Sequence, residues 1–368
     1  MDFQDLLGRA PAVVDDTRIS AKLTGRTVLV TGAAGSIGSE LCRQIARFHP
    51  RAIVGFEIAE SPLFQLDREM RDSFPDVEFN PEIGSVQNRQ RVDEVVSQHR
   101  PSLVYHGAAY KHVPMMETHP FEAVENNVFG TWNVAMAAER YGVEDFVLIS
   151  SDKAVRPANI MGATKRVAEL LLRGLQNGGT NFASVRFGNV LGSSGSVIPI
   201  FEEQIAAGGP LTVTHPEMRR YFTTVSDACR LILRASVMIN GGEVFVLDMG
   251  EPLKIVDLAR KLIHISNLRP EEIRIEYTGL RPGEKLSEEL NFLGEDTIPT
   301  DHAKIRIAAG EGLPAANIRP YVKELREVCA ARDLPNLIRI LKELIPEYTP
   351  SHHLLSAEEA ATPVSGTL

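Results

Sequence analysis

Cysteine is scarce: Cys42, Cys229 and Cys329 are the only three in 368 residues. Their wide separation gives no metal-type spacing, and a reducing compartment fits them best. Long apolar runs are missing too, so no segment reaches the roughly 18 residues that cross a bilayer. The first residues, Met1-Asp2-Phe3-Gln4-Asp5, are acidic and lack a signal-peptide pattern. The expectation is a cytoplasmic location, or membrane association if the chain is an excised part of a longer protein. Positive charge is also short. The net charge of −9 has the wrong sign for a general nucleic-acid footprint, although local arginines can still hold an anionic ligand. Internal repeats are absent.

What the chain does have is apolar content, 43% hydrophobic residues, enough for a large α/β domain and a smaller one. Strand-like segments at Thr27–Thr31, Ala52–Phe56, Val77–Ile83, Leu103–His106, Phe146–Ser150 and Phe182–Arg186 alternate with helical spacing. That alternation predicts βαβ units in a doubly wound parallel sheet of Rossmann type. The expected organisation is a lead-in over 1–25 and a dinucleotide-binding domain over 26–190, with 226–250 returning to it. A smaller, interleaved α/β substrate domain takes 191–225 and 251–348. The Ala/Ser/Thr-rich end, 349–368, reads as a disordered tail, and His352-His353 within it as tail rather than metal site.

Gly32, Gly35 and Gly38 are spaced G-x-x-G-x-x-G between an apolar strand and a helix. Glycine lets the turn close and lets backbone approach a pyrophosphate. Ser36 and Ile37 open the helix, whose free N–H groups attract phosphate. Glu57 ends the second strand nineteen residues after Gly38. A carboxylate there takes ribose hydroxyls and repels a 2′-phosphate, favouring NAD over NADP.

Further along lie Ser150-Ser151-Asp152-Lys153-Ala154 and Met161-Gly162-Ala163-Thr164-Lys165-Arg166. Other marked stretches are His106–Pro114, Asn127–Thr131, Arg186–Gly192 and Arg281-Pro282-Gly283-Glu284-Lys285. Together with the glycine loop, these resemble the extended short-chain dehydrogenase/reductases. More narrowly, they resemble the polysaccharide-biosynthesis branch, the nucleotide-sugar 4,6-dehydratases acting on UDP-N-acetylglucosamine. The resemblance runs over about residues 5 to 345. Many such proteins carry a transmembrane half ahead of this region.

The resemblance implies tightly bound, recycled NAD, with Ala108, Ala109, Asn127 and Lys165 joining the glycine loop at the cofactor. It implies a Ser/Thr at Ser151 and a lysine at Lys165 that binds the nicotinamide ribose. The tyrosine that normally accompanies them is Met161 here, and a thioether is no base. The same exchange is typical of the membrane-linked dehydratases. A 4,6-dehydration oxidises C4, removes the C5 proton, expels the C6 hydroxyl and reduces C6. The resemblance assigns Lys153 as the C5 base and Asp152 as the acid at C6. Burial or a nearby cation such as Lys165 favours the uncharged lysine that a base requires. The acceptor of the C4 proton is Asp152 or a water held by Ser151 and Lys165, with Asp152 preferred.

On the substrate side the resemblance places Arg281 on the pyrophosphate and Glu284 on the uridine ribose. Asn189, Arg220 and Lys111 join them, and His112 is a further candidate. An arginine fork suits phosphate oxygens. A homodimer through helices around Ala123–Tyr141 and Gly162–Leu175 is the superfamily habit. Two rivals stand beside the dehydratase: a UDP-sugar 4-epimerase, and a non-catalytic NAD- or sugar-binding protein motivated by Met161. No metal is expected.

Overall fold

The computed structural model describes residues 12–176, 179–269, 271–290, 297–309 and 318–361. Nine strands make its main sheet: β1 (Thr27–Thr31), β2 (Ala52–Glu57), β3 (Glu78–Ile83), β4 (Leu103–His106), β5 (Asp145–Ile149), β6 (Asn181–Arg186), β7 (Val244–Leu247), β8 (Thr297–Pro299) and β9 (Ile305–Ala308). Their order is β8-β9-β7-β6-β5-β4-β1-β2-β3. All pairings from β3 to β7 are parallel, while β9 adds to β7, and β8 to β9, antiparallel. Val28, Leu29 and Val30 are buried, as a central parallel strand with helices on both faces requires. The chain is thus α/β and doubly wound. Strand order reverses between β1 and β4, which opens the ligand crevice at their carboxyl ends.

A second apolar core brings together Leu191, Phe201, Leu211, Val213, Phe222, Leu258 and Leu262. It packs the helices Val197–Ala206 and Ile255–Ile265 beside short strands. The helix Val225–Ser236 packs on Ser36–Ala46.

Three expectations need correction. Residues 251–348 do not form one substrate unit. The strands β8 and β9 extend the main sheet, and the helices Ile318–Ala331 and Leu334–Leu344 pack on the first domain. Their apolar faces, including Val322, Leu325, Leu337 and Leu341, meet Val124, Val167, Leu170 and Leu171 in one buried cluster. The face expected for dimerisation, Gly162–Leu175 with Ala123–Tyr141, is therefore largely covered by the chain itself. The end is not all tail: His352–Ala361 is helical, Leu354 is buried, and Ser351 donates to Glu117. The spacing of Leu354 and Leu355 is too short to announce a helix, and tertiary contacts decide it. The rest of that call, 362–368, and residues 1–11 lie outside the described residues.

Candidate active site

β1 ends at Thr31, and the chain turns at Gly32 with φ of +67°. A Cβ at Gly32 would sit 2.8 Å from the Ala108 nitrogen, and one at Gly38 would sit 2.1 Å from the Gly32 oxygen. Only glycine lets the helix Ser36–Ala46 begin this close to the turn after β4. Glu57 at the end of β2 caps the loop. It accepts from the Ala34 nitrogen at 3.2 Å, and from Ile58 and Ala59 at 2.9 and 3.1 Å. It is fixed in place rather than loosely solvated. Gly35 caps the helix start, and Ile37 packs inward on the core. Ala108 and Ala109 stand half-buried on the opposite wall. A glycine floor, a helix N-terminus and a fixed carboxylate form a cradle that fits a dinucleotide. Ser36 Oγ also accepts from the Ser194 nitrogen at 3.1 Å, so the loop after β6 straps across this helix.

Asn127 does not face the cradle. Its amide is fully engaged by the Tyr110 backbone at 2.8 and 3.0 Å, Thr164 Oγ1 at 3.0 Å and Asn126 at 3.2 Å. It holds the loop 107–111 instead of reaching for cofactor. Beneath that loop, His106 lies between Thr31 Oγ1 (2.7 Å) and Thr131 Oγ1 (3.0 Å). Thr131 donates to the Asn127 carbonyl, so its oxygen accepts from His106 Nε2–H. Burial, and then the charge of Lys165, push the His106 pKa down to about 3, so the ring stays neutral.

β5 delivers the turn Asp152–Ala154. Ser151 Oγ donates to Asp152 Oδ1 at 2.9 Å, and Lys153 Nζ reaches the same oxygen at 3.0 Å. Lys153 Nζ also donates to Asn189 Oδ1 at 2.9 Å. Asp152 is 0% exposed, whereas Ser151 and Lys153 are half-buried. Protons therefore reach Asp152 through Ser151 or Lys153, not directly. The helix Ile160–Gly174 presses against this turn, since a Cβ at Gly162 would sit 2.2 Å from the Lys153 oxygen.

Lys165 Nζ, one turn further on, donates to the Ile149 carbonyl at 2.8 Å. Burial lowers its pKa to about 8, partly opposed by the charge of Glu169. Met161 is buried in the apolar cluster with Val113, Met116 and Ala123.

The substrate candidates divide. Arg281 is exposed and pairs with Glu284 at 2.6 Å. Partial burial, then the charges of Lys111 and Arg281, lower the pKa of His112. Lys111, itself lowered by burial, reaches toward Ser193 Oγ at 3.5 Å. Lys111 and Arg281, the two cations beside His112, make a rim suited to a pyrophosphate. Arg220 does not belong to it. Its guanidinium is buried and donates to the carbonyls of Arg219, Lys285 and Leu286, with Glu288 at 3.7 Å. It pegs the substrate loop rather than reaching a ligand. That loop is held again where Asn159 donates to the Gly283 carbonyl at 3.0 Å and Lys285 to Val155 at 3.1 Å.

Sequence reasoning missed Glu288, Glu169, Asn159 and the His106 pair of threonines. Glu288 stands beside Arg281–Lys285 in sequence, but nothing in its spacing announces that it points inward. No cluster that could hold a metal occurs among the described residues. No described helix is long and apolar enough to cross a membrane.

A dinucleotide cradle at a switch point, with an Asp–Lys turn and a buried lysine beside it, defines an extended short-chain dehydrogenase/reductase. The chain belongs to the polysaccharide biosynthesis protein family, whose profile matches residues 28–310. It is 54% identical over 293 residues to the capsular polysaccharide biosynthesis protein CapD of Staphylococcus aureus, across 79% of this chain and 49% of that protein. The chain thus spans about half the length of that relative. It is 36% identical over 274 residues to the UDP-glucose 4-epimerase of Rickettsia rickettsii, covering 72% of this chain and 77% of that one. Among solved structures, Pen from Bacillus thuringiensis superposes with a TM-score of 0.73 at 36% identity, covering 80% of this chain and 90% of that chain.

Proposed function

We propose that this chain is a nucleotide-sugar 4,6-dehydratase taking UDP-N-acetylglucosamine, with tightly held NAD as its recycled cofactor. The observation that carries the reading is the Ser151–Asp152–Lys153 unit, tied to Asn189 at the mouth of the crevice. Such a unit serves a reaction with proton transfers at more than one carbon. The glycine loop, Glu57, Ala108, Ala109 and Lys165 hold the cofactor, and the Glu57 carboxylate favours NAD over NADP. NAD held there would supply the redox chemistry, as hydride acceptor for C4 and hydride donor for C6.

The residues do the rest. Ser151 takes the C4 hydroxyl proton while passing its own to Asp152 Oδ1, along the 2.9 Å hydrogen bond already present. Lys153, the half-buried amine of the pair, removes the C5 proton made acidic by the neighbouring ketone and returns it to C5 once C6 has been reduced, which restores the free amine. Asp152 returns its proton through Ser151 to the departing C6 hydroxyl, which leaves as water. Arg281, Lys111 and His112 receive the pyrophosphate. Met161 needs no proton role in this scheme, in keeping with its apolar surroundings.

A 4-epimerase is the second reading, favoured by the Rickettsia relative. It requires proton transfer only at the C4 oxygen and leaves the amine of Lys153 without a task. The test is incubation with UDP-N-acetylglucosamine and mass measurement of the product. Loss of one water is expected. An isomer of equal mass, or binding without turnover, would overturn the dehydratase reading. Asp152→Asn should abolish turnover while nucleotide binding survives, and an active Asn variant would remove Asp152 from the scheme.

A further inference from the structure

Behind the Ser151–Asp152–Lys153 unit lies a second carboxyl, Glu288, which the scheme above does not use. Its side chain is 2% exposed, and its ion-pair partner among the described residues is Arg220, 3.7 Å from Oε1. Its other oxygen, Oε2, is buried without a hydrogen-bond partner. Asp152 has the same defect: Oδ1 accepts two hydrogen bonds, while Oδ2 is buried with none. A buried carboxylate oxygen left unsatisfied is costly, and two of them in one site are rare in folded proteins.

The charge of Asp152 bears on Glu288. After burial, the charges facing Glu288 are Lys153 and Asp152 from the catalytic turn, Arg220 from the strand Arg219–Arg220, and Lys285 from its own loop. Burial and Asp152 raise the Glu288 pKa, and the three cations oppose them. The segment carrying Glu288 lies against the catalytic turn, where Lys285 donates to the Val155 carbonyl at 3.1 Å and Arg156 donates to Glu289 at 2.9 Å. Two buried carboxylates that repel cannot both ionise cheaply, and one proton between them removes the repulsion.

We propose that Glu288 is a positioning residue that shares one proton with Asp152, directly or through one water. The pair then carries a single negative charge opposite Lys153. Glu288 keeps its proton through the cycle. Asp152 alone gains the C4 proton and loses it to the C6 hydroxyl, so atoms and charge balance. The shared proton orients the Asp152 carboxyl, leaving Oδ1 to Ser151 and Lys153. The peg made by Arg220 is what keeps the Lys285–Glu288 segment in reach.

This inference rests on the dehydratase reading for its catalytic consequence, but not for its first test. Infrared spectra of the wild type and Glu288→Gln, recorded at neutral pH, read the protonated carboxyl directly. The wild-type-minus-variant difference should contain a protonated-carboxyl stretching band. Its absence would overturn the proposal whatever the substrate. If the band is present but UDP-N-acetylglucosamine loses no water, the shared proton stands and the dehydratase reading falls. Where turnover is measurable, Glu288→Leu leaves Asp152 Oδ2 with no donor and should slow it about a hundredfold, a charged hydrogen bond's worth. Glu288→Gln supplies an amide donor and should recover about tenfold of that loss. Its alkaline limb should move upward, because the amide has no proton to lose. Equal damage from Gln and Leu, with an unmoved pH profile, would make Glu288 structural only and refute the shared proton.

Discussion

Replacing Glu169 by glutamine tests whether the buried charges behind the catalytic turn hold the site together. Glu169 lies on the helix Ile160–Gly174, fully enclosed. Its oxygens accept from Ser150 Oγ at 2.6 Å, Arg186 Nε and Nη2 at 2.8 and 2.7 Å, and Arg166 Nη1 at 3.1 Å. Burial alone would raise its pKa, but the charge and hydrogen bonds of Arg186, with Arg166 and Ser150, bring it down to about 2 from 4.5. The folded value lies below the ordinary one. The stabilisation is therefore complete above about pH 4.5 and is lost as pH falls through about 2. A gap of roughly two and a half units corresponds to about 3 kcal/mol.

The amide would keep the shape and delete the charge opposite Arg186. Removing one partner of a buried pair costs about 3–5 kcal/mol, which agrees with the titration figure. Urea unfolding of wild type and variant, repeated from about pH 7 toward about pH 3, reads both size and sign. The stability difference should be widest near neutrality and narrow as the solution becomes acid. A difference under about 1 kcal/mol, or one independent of pH, would refute the reasoning, since it would mean the pair is no better than a surface bridge.

Lys165, with its pKa near 8, should carry its charge below that pH and lose it above. Calorimetric NAD affinity should weaken as pH rises through about 8, while Lys165→Met binds about tenfold more weakly with no such dependence; a Met variant that keeps the pH dependence would exclude Lys165. Glu57→Gln removes the carboxylate that repels a 2′-phosphate. The ratio of NADP to NAD affinity should rise about tenfold, and an unchanged ratio would leave Glu57 as a loop cap only. Ending the chain before Ile318 would bare Val167, Leu170 and Leu171. That variant should self-associate or precipitate in light scattering at concentrations where the full chain does not; a monodisperse truncated protein would contradict the covered-face argument.

The glycine loop, the strand alternation and the Asp152–Lys153 pair were legible because each is written locally. Gly32 and Gly38 are dictated by distances of one turn, and β1 by an apolar run buried on both faces. Asn127 and Arg220 show the limit of a motif, because a polar residue there looks the same whether it meets ligand or backbone. Only the folded chain shows that their donors go to Tyr110 and to the 285–286 carbonyls. Glu288 was invisible for the complementary reason: Arg220, its ion-pair partner, lies on a strand 68 residues away. The C-terminal helices carry apolar faces, Val322 and Leu325 on one and Leu337 and Leu341 on the other, but nothing local assigns those faces to the first domain. An apolar face records that it needs a partner without recording which one.

That ambiguity bears on the site. The helix Ile160–Gly174 carries Met161, Gly162, Lys165 and Glu169 on faces that meet the catalytic turn, the cofactor side and Arg186. Val167, Leu170 and Leu171 belong to the cluster with Ile318–Ala331 and Leu334–Leu344. Where a second subunit supplies such a cover, catalytic geometry depends on association. Here the cover is in the same chain, and Glu117 adds a polar tie by accepting from both the Ile160 nitrogen at 2.6 Å and Ser351. The helix that positions Lys165 is thus fixed from both sides by intramolecular contacts. Preorganisation of the catalytic turn follows from packing within one chain.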